Sequence, residues 1–450
     1  MSIRFPGSPI ARNGGPALLL LCGLVLAPGA QAAPERWVVA TDLWGNAEYR
    51  TLVIDDRDGN FEGTLGGEPV TARRTGRRLT VTTPDGRYDG TIRGDRITGT
   101  ADLPDINLAS VRARHGFTAR RIPPRPAGGA RVVDFTPTSW SNAFDPHRAP
   151  VLTLWPGDTL RTETLDSGGM DSHGQTRALF GNPQIGPFFI AGAEPGDTLV
   201  IRIGRLRLNR DFADSRDEIV GRAMTPGLAV RAAGTGGRVR WRLDRDTGLA
   251  SPEGGTGALA DYAIPVRPML GGLAVAPGGA TPVSTGDSGR FGGNMDFNEV
   301  IAGNTVLLPV QQPGALLYLG DGHARQGDGE TSQWGLETSL DVELTVDLVK
   351  ADPGGGGAIQ MPLVESPGEI MALGQAGSLD EAVRLATDGL VRWMGRDYGL
   401  TLAQSAQLLG VAARYSIVTL AGRNAGIAAR IDKSALPRKP GDPAPGPARR

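Results

Sequence analysis

Tight turns come too often in this sequence for long helices to dominate it. Between residues 35 and 105, the pairs Asp58-Gly59, Gly66-Gly67, Asp85-Gly86 and Gly94-Asp95 separate short runs at 37–40, 49–54 and 79–83. Such pairs supply the positive φ that two-residue hairpin turns require, and the runs between them are rich in β-branched and aromatic strand formers. Residues 33–121 therefore read as a small all-β meander or barrel, with no function legible in it. A linker over 122–130 follows, stiffened first by Pro123, Pro124 and Pro126 and then loosened by Gly128 and Gly129.

Residues 131–436 continue the β pattern and then change period. Residues 198–203 and 342–348 alternate as half-buried strands do. Pro156-Gly157-Asp158 and Pro195-Gly196-Asp197 each introduce a strand, which suggests two related sheet units. Ser378 and Glu381 fit a capping box, and Leu379, Val383, Ala386, Leu390 and Met394 then recur at helical spacing. Thr401 to Gln404 opens a second helix, while 417–420 and 427–431 read as strands, and 437–450 is expected to be a disordered tail. The fold class is mainly β with C-terminal α. The usage of 66 glycines and 34 prolines against 5% aromatics agrees with that.

The first 32 residues are expected to leave. Arg4 and Arg12 precede an apolar run over 17–27, and Ala30-Gln31-Ala32 offers small residues for cleavage. The run is too short to span a bilayer comfortably, and nothing later reaches that length, so the mature chain is expected in the periplasm or outside the cell. The single cysteine, Cys22, lies in this leader, which excludes disulfides and a thiol nucleophile from the mature chain. The formal net charge of −1 carries no basic block, so nucleic acid is not an expected partner. Apolar surface in the late helices allows a homo-oligomer without specifying one.

The densest set of titratable groups lies between Gly320 and Glu330, where Asp321, His323, Asp328 and Glu330 are interleaved with four glycines. Asp296 stands upstream and Glu337 downstream. Carboxylates with one imidazole suit a divalent metal ion, zinc and calcium both being compatible, and they equally suit a general acid/base pair with split pKa values. Asp-Gly pairs are also ordinary turns, so any one of these aspartates can be structural. His323 is harder to explain that way, because a turn needs no imidazole. His115, near the linker, reads as a surface residue, and His173 sits on a polar loop where it can line a site with Glu163 and Asp166. Gly286-Asp287-Ser288-Gly289 lacks the context of a serine-protease loop, and neither a G-x-S-x-G elbow nor a phosphate-binding loop appears.

The order Phe291-Gly292-Gly293-Asn294-Met295-Asp296, Leu308-Pro309-Val310, Pro313 to Ala324, Gly327-Asp328-Gly329-Glu330 and Glu337-Thr338-Ser339 resembles the acetamidase/formamidase family. Asn182 to Pro187, Gly192 to Asp197 and Ala425 to Lys433 are similar to that family's earlier and final motifs. The likeness covers roughly 132–436 and leaves the first β module outside. It implies a layered β/β/α roll-like core and hydrolysis of short linear amides such as formamide or acetamide, releasing ammonia and a carboxylate. It also implies Asp321, His323, Glu330 and Glu337 as catalytic candidates, and Asp296, Asp321, His323, Asp328 and Glu330 as metal ligands. One departure stands out: where the family usually has a histidine, this chain reads Pro137 to Phe144, with His147 just after. Either His147 substitutes, or metal binding or activity is altered. That departure keeps a second reading open, an exported metal- or ligand-binding protein that has the fold without the catalysis.

Overall fold

The computed structural model describes residues 34–57, 60–352 and 358–440. The expected leader with Cys22, the Asp58-Gly59 turn and residues 441–450 lie outside the described residues.

The turn-rich N-terminal stretch closes on itself. Eight antiparallel strands run from Glu35–Leu43 to Arg112–Arg121, and the last pairs with the first, so the barrel has no free edge. Side chains alternate across each strand. Trp37 and Val39 point inward, whereas Val38 and Ala40 face out and are half-buried. The interior is filled by Trp37, Leu52, Leu65, Leu79, Ile97 and Phe117, which makes it a packed core rather than a lumen. His115 is not the surface residue expected. It shares the inward face with Phe117 and Ala119, its Nδ1 lies 3.0 Å from the Asp42 carbonyl oxygen, and its ring meets Trp44 edge-on at 4.6 Å.

The rest of the chain forms stacked layers. One sheet has six strands in the order Leu152–Leu154, Gln184–Ile190, Leu317–His323, Met269–Ala274, Gly292–Asn294 and Ser288–Gly289. A nine-stranded sheet lies against it, with Thr198–Leu208 and Leu340–Val349 near its middle and Arg414–Thr419 at one edge. Leu199, Ile201 and Ile203 meet Leu270, Leu273, Leu317 and Leu319 between the sheets. Val200 and Leu307 point the other way and bury against Ala386, Leu390 and Trp393 of the helix Leu379–Tyr398. Each such Leu or Ile contributes roughly 1.5–3 kcal/mol on full burial, so both faces of the large sheet are committed. The β/β/α layering expected from the motifs is what forms.

Local signals resolve in detail. Thr401 and Gln404 make a reciprocal capping box, but at Ser378 only half of one forms. The Ser378 hydroxyl accepts from the Glu381 amide at 3.3 Å, while the Glu381 carboxylate turns away to Arg384. The two Pro-Gly-Asp turns do not mark two sheet units. They start Thr159–Glu163 and Thr198–Leu208, which flank Leu340–Val349 in one sheet. Asp158 and Asp197 each accept a backbone amide across their own turn, from Trp155 at 3.1 Å and Glu194 at 2.8 Å. On its outer face the six-stranded sheet presents Phe189, Ala274 and Tyr318 to Ile122 and Val38, and here the barrel docks. Among the described residues, no helix is long and apolar enough to cross a membrane.

Candidate functional site

Two strands that flank Met269–Ala274, and two loops, bring distant acids to one point. The strand Leu317–His323 carries Asp321 and His323, two residues apart. Asp296 follows the strand Gly292–Asn294. Its amide and that of Met295 are both held by the Gly271 carbonyl, at 3.2 and 2.9 Å. Glu330 arrives on the loop after His323, and Glu337 on a segment that bridges both His323 and Asp214. All five side chains are buried, His323 completely. Asp296, Asp321 and His323 offer ligand atoms within 4.8 Å of one another, as do His323, Glu330 and Glu337.

The backbone here is forced into an uncommon region. Asp296 (φ 46°), Asp321 (φ 60°), Glu330 (φ 45°) and Asn182 (φ 59°) are all left-handed without being glycine. Such residues cost on the order of 1–3 kcal/mol each and persist where the surroundings over-determine them, typically at functional sites. Gly271 makes the room. A Cβ there would stand 2.6 Å from Asp321 Oδ2, 2.7 Å from Asp296 Oδ1 and 2.8 Å from His323 Cε1.

Amide side chains hold some of the acids and leave others open. Asn182 Nδ2 donates to Asp321 Oδ2 at 3.0 Å and to Asn294 Oδ1 at 2.5 Å, and Asn294 Nδ2 donates in turn to Asp296. Thr419 Oγ1 donates to Glu330 Oε2 at 3.3 Å. His323 Nδ1 lies 3.1 Å from the Asp321 carbonyl, which directs Nε2 toward Glu337 Oε1 at 3.0 Å and Glu330 Oε1 at 4.0 Å. The Glu337 contact is close but is not aligned as a hydrogen bond. Asp296 Oδ1, Asp321 Oδ1, His323 Nε2 and Glu337 Oε2 are all buried with no hydrogen-bond partner. Buried polar atoms are rarely left so. Such atoms on carboxylates and an imidazole, in two groups that share His323, match the donor set of a divalent cation, and the residues therefore fit one.

Burial and mutual repulsion shift every ionisation in the cluster. Burial pushes Asp296 up to about 6, with the Glu337 charge adding to the rise and His323 opposing it. Burial also raises Asp321 well above the carboxylate range, helped by Glu337, and raises Glu330 likewise, helped by Asp296. Burial would raise Glu337 too, but His323, Ser167 and Asp321 together lower it. Burial opposes the imidazolium of His323, yet the Glu337 and Asp321 charges raise it well above its usual value. The arrangement supplies both a carboxyl able to carry a proton near neutrality and a carboxylate that stays ionised.

Five of the six candidate acids and histidine thus come together. Asp328 does not: it is exposed, and its Oδ1 accepts from Asn298 at 2.7 Å. His147 does not replace the missing family histidine. It is exposed at the barrel, with Nδ1 2.8 Å from the Tyr49 hydroxyl and Nε2 2.5 Å from the Ala280 carbonyl. His173 is exposed, and Asp166, instead of lining a site with it, forms a buried ion pair with Arg210 at 2.6 Å. The arginine also donates to the Glu337 carbonyl at 3.1 Å and so fixes that segment from behind. Sequence reasoning singled out neither Gly271 nor Arg210, nor gave roles to Asn182 and Asn294. The Gly271-Gly272 pair inside a strand was the available signal, since glycine there marks a close approach.

Residues 274–367 match the sequence pattern of the Acetamidase/Formamidase family. The chain is similar to the "putative formamidase" of Schizosaccharomyces pombe (strain 972 / ATCC 24843), with 26% identity over 275 residues, 48% of this chain and 67% of that protein. A recombinant predicted acetamidase/formamidase from the thermophile Thermoanaerobacter tengcongensis superposes with a TM-score of 0.57 at 25% identity, over 68% of this chain and 97% of its own. The acetamidase of Yersinia enterocolitica gives 0.59 at 24% identity, over 69% of this chain and 95% of its own, and bears on the fold alone. The resemblance read from the motifs stands.

Proposed function

We propose, with the family resemblance as premise, that this chain hydrolyses the carbon–nitrogen bond of a small linear amide, releasing ammonia and a carboxylate. The observation that carries the reading is the buried cluster with its four unpartnered atoms. Burial of all five side chains supports a substrate of formamide or acetamide size. Asp296, Asp321 and His323 would hold a divalent ion. When bound, such an ion supplies Lewis acidity and lowers the pKa of water.

The protein's own groups supply the proton traffic. Glu330, with its raised pKa, is the proton carrier: its carboxylate takes a proton as the water oxygen bonds to the carbonyl carbon. The carboxyl then returns that proton to the nitrogen as the carbon–nitrogen bond breaks, so that ammonia leaves rather than an amide anion. Glu337, with its lowered pKa, stays ionised beside His323 Nε2, 3.0 Å away, and keeps a negative charge at the site. The expected leader adds export to the periplasm or beyond to the proposal.

The test is ammonia release from a panel of formamide, acetamide and longer amides by purified protein, with and without a chelator. Turnover should be lost on chelation and restored by a divalent ion, and Asp321→Asn and Glu330→Gln should each abolish it in folded protein. Retained turnover in either variant would refute the assignment. No turnover by folded, metal-replete wild-type protein would favour the ligand-binding alternative.

A further inference from the structure

The barrel's outer wall and the core enclose a second cleft of about 280 Å³, remote from the acid cluster in chemistry. Val38 and Ala40 of the barrel and Pro150 of the core, all half-buried, provide apolar surface, and Arg96, Arg120 and Arg148 line the same space. Arg148 donates to Ser139 Oγ at 3.0 Å. The other two are less well satisfied. Arg96 and Arg120 are directly opposed across neighbouring barrel strands, Arg96–Pro104 and Arg112–Arg121, and so share a face. Like charges so placed destabilise a sheet. Among the described residues neither donates a side-chain hydrogen bond. The partners of Arg120 are the Phe189 ring, 5.7 Å from its guanidinium, and the charge of Asp95. Half-buried and next to Arg96, it is held below the usual guanidinium range, first by burial. At the cleft the hydrogen bond between Tyr49 and His147 ties barrel to core.

We propose that this cleft binds a small organic monocarboxylate, its carboxylate on Arg96 and Arg120 and its apolar body on Val38, Ala40 and Pro150. A planar guanidinium matches a carboxylate edge with two donors, and an anion between the two cations removes their repulsion. The apolar wall disfavours a fully hydrated anion such as inorganic phosphate. The proposal stands independently of amide hydrolysis, because the cleft shares no residue with the acid cluster.

Calorimetric titration of the purified protein with benzoate, and separately with inorganic phosphate, tests it. Saturable benzoate binding is expected, weakened at least ~10-fold in an Arg96→Gln/Arg120→Gln double variant, with phosphate much weaker than benzoate. Arg96→Gln alone, at an exposed position, should weaken binding in the same direction and covers the case in which the double variant fails to fold. Benzoate binding no tighter than phosphate, or unchanged in folded variants, overturns the proposal. So does binding that survives both arginine substitutions but vanishes with a chelator, since the carboxylate would then sit in the acid cluster.

Discussion

Replacing Gly271 by alanine isolates what the cluster's packing contributes. Gly271 is not in the left-handed region, so alanine meets no backbone objection there. The obstacle is contact alone: the new Cβ would stand 2.6 Å from Asp321 Oδ2 and 2.7 Å from Asp296 Oδ1. Carbon and oxygen rest at about 3.4 Å, so both carboxylates must retreat by roughly 0.7 Å, against neighbours that already fill the space. Overpacking of this kind costs ~1–3 kcal/mol of stability. Displacing catalytic groups by about 1 Å costs on the order of 10²-fold in rate. Gly271→Ala is therefore expected to lower kcat/KM on the best amide by about 10²-fold and to weaken divalent-ion affinity at least ~10-fold, while circular dichroism shows a folded protein. The control is Gly410→Ala, inside the helix Leu402–Ala412, where a Cβ meets nothing within 4 Å. There alanine should leave activity unchanged and stabilise by about 0.5–1 kcal/mol. A folded Gly271→Ala protein with kcat/KM and ion affinity within about threefold of wild type, roughly 0.65 kcal/mol, would refute the argument that this glycine shapes the site.

Other expectations follow from groups around the cluster and the turns. Arg210→Met strands the buried Asp166 carboxylate, and urea unfolding should show a loss of ~3–5 kcal/mol; Arg210→Met/Asp166→Asn should lose less than Arg210→Met alone, and equal losses would deny the pair. At Asp158, burial would raise the carboxyl, but Arg131's guanidinium and the Arg131 and Trp155 amides together hold it below its ordinary value. A depressed folded pKa stabilises above the unfolded value of about 3.9 and loses that contribution as pH falls through the folded one. The stability gap between wild type and Asp158→Asn should accordingly be flat from pH 7 to 5 and narrow below about pH 4, whereas a gap unchanged to pH 3 would contradict the linkage.

How much the sequence disclosed depended on the range of the interaction. Turn pairs and alternation were enough for a β meander or barrel, because hairpin register is set by residues a few positions apart, but not for its closure, which pairs the first strand with the last. The late helices were likewise legible from capping and period, although Val383, counted in the apolar stripe, is 38% exposed. The acids of the site were legible as a set, since glycines spaced Asp321, His323 and Glu330 closely. Which of them turned inward was not. Asp328 sits two residues from Glu330 and faces solvent, a difference decided by single φ values that no residue type announces. His115 and His147 were misplaced or unplaced for another reason. Their partners, Asp42 and Tyr49, lie 73 and 98 residues away, and only barrel closure and docking bring them together.

The same distinction explains why the site's support was invisible while its chemistry was not. A carboxylate or imidazole advertises its function by type. Gly271 contributes by lacking a side chain, and Arg210 contributes from the turn between Thr198–Leu208 and Phe212–Arg216 by reaching the Glu337 carbonyl, 127 residues on. Yet these two determine whether the acids can stand as close as they do. Asp296, Asp321 and Glu330 hold strained left-handed backbones, and strain persists only when packing leaves no alternative. A cluster of buried carboxylates without a rigid frame would relax, each acid swinging to a neighbouring amide or to water. The frame of Gly271, Asn182, Asn294 and Arg210 keeps four donor atoms of the cluster unpartnered. It follows that loss of the frame and loss of an acid should differ in kind: the first should degrade ion affinity and rate together, and the second should remove turnover outright.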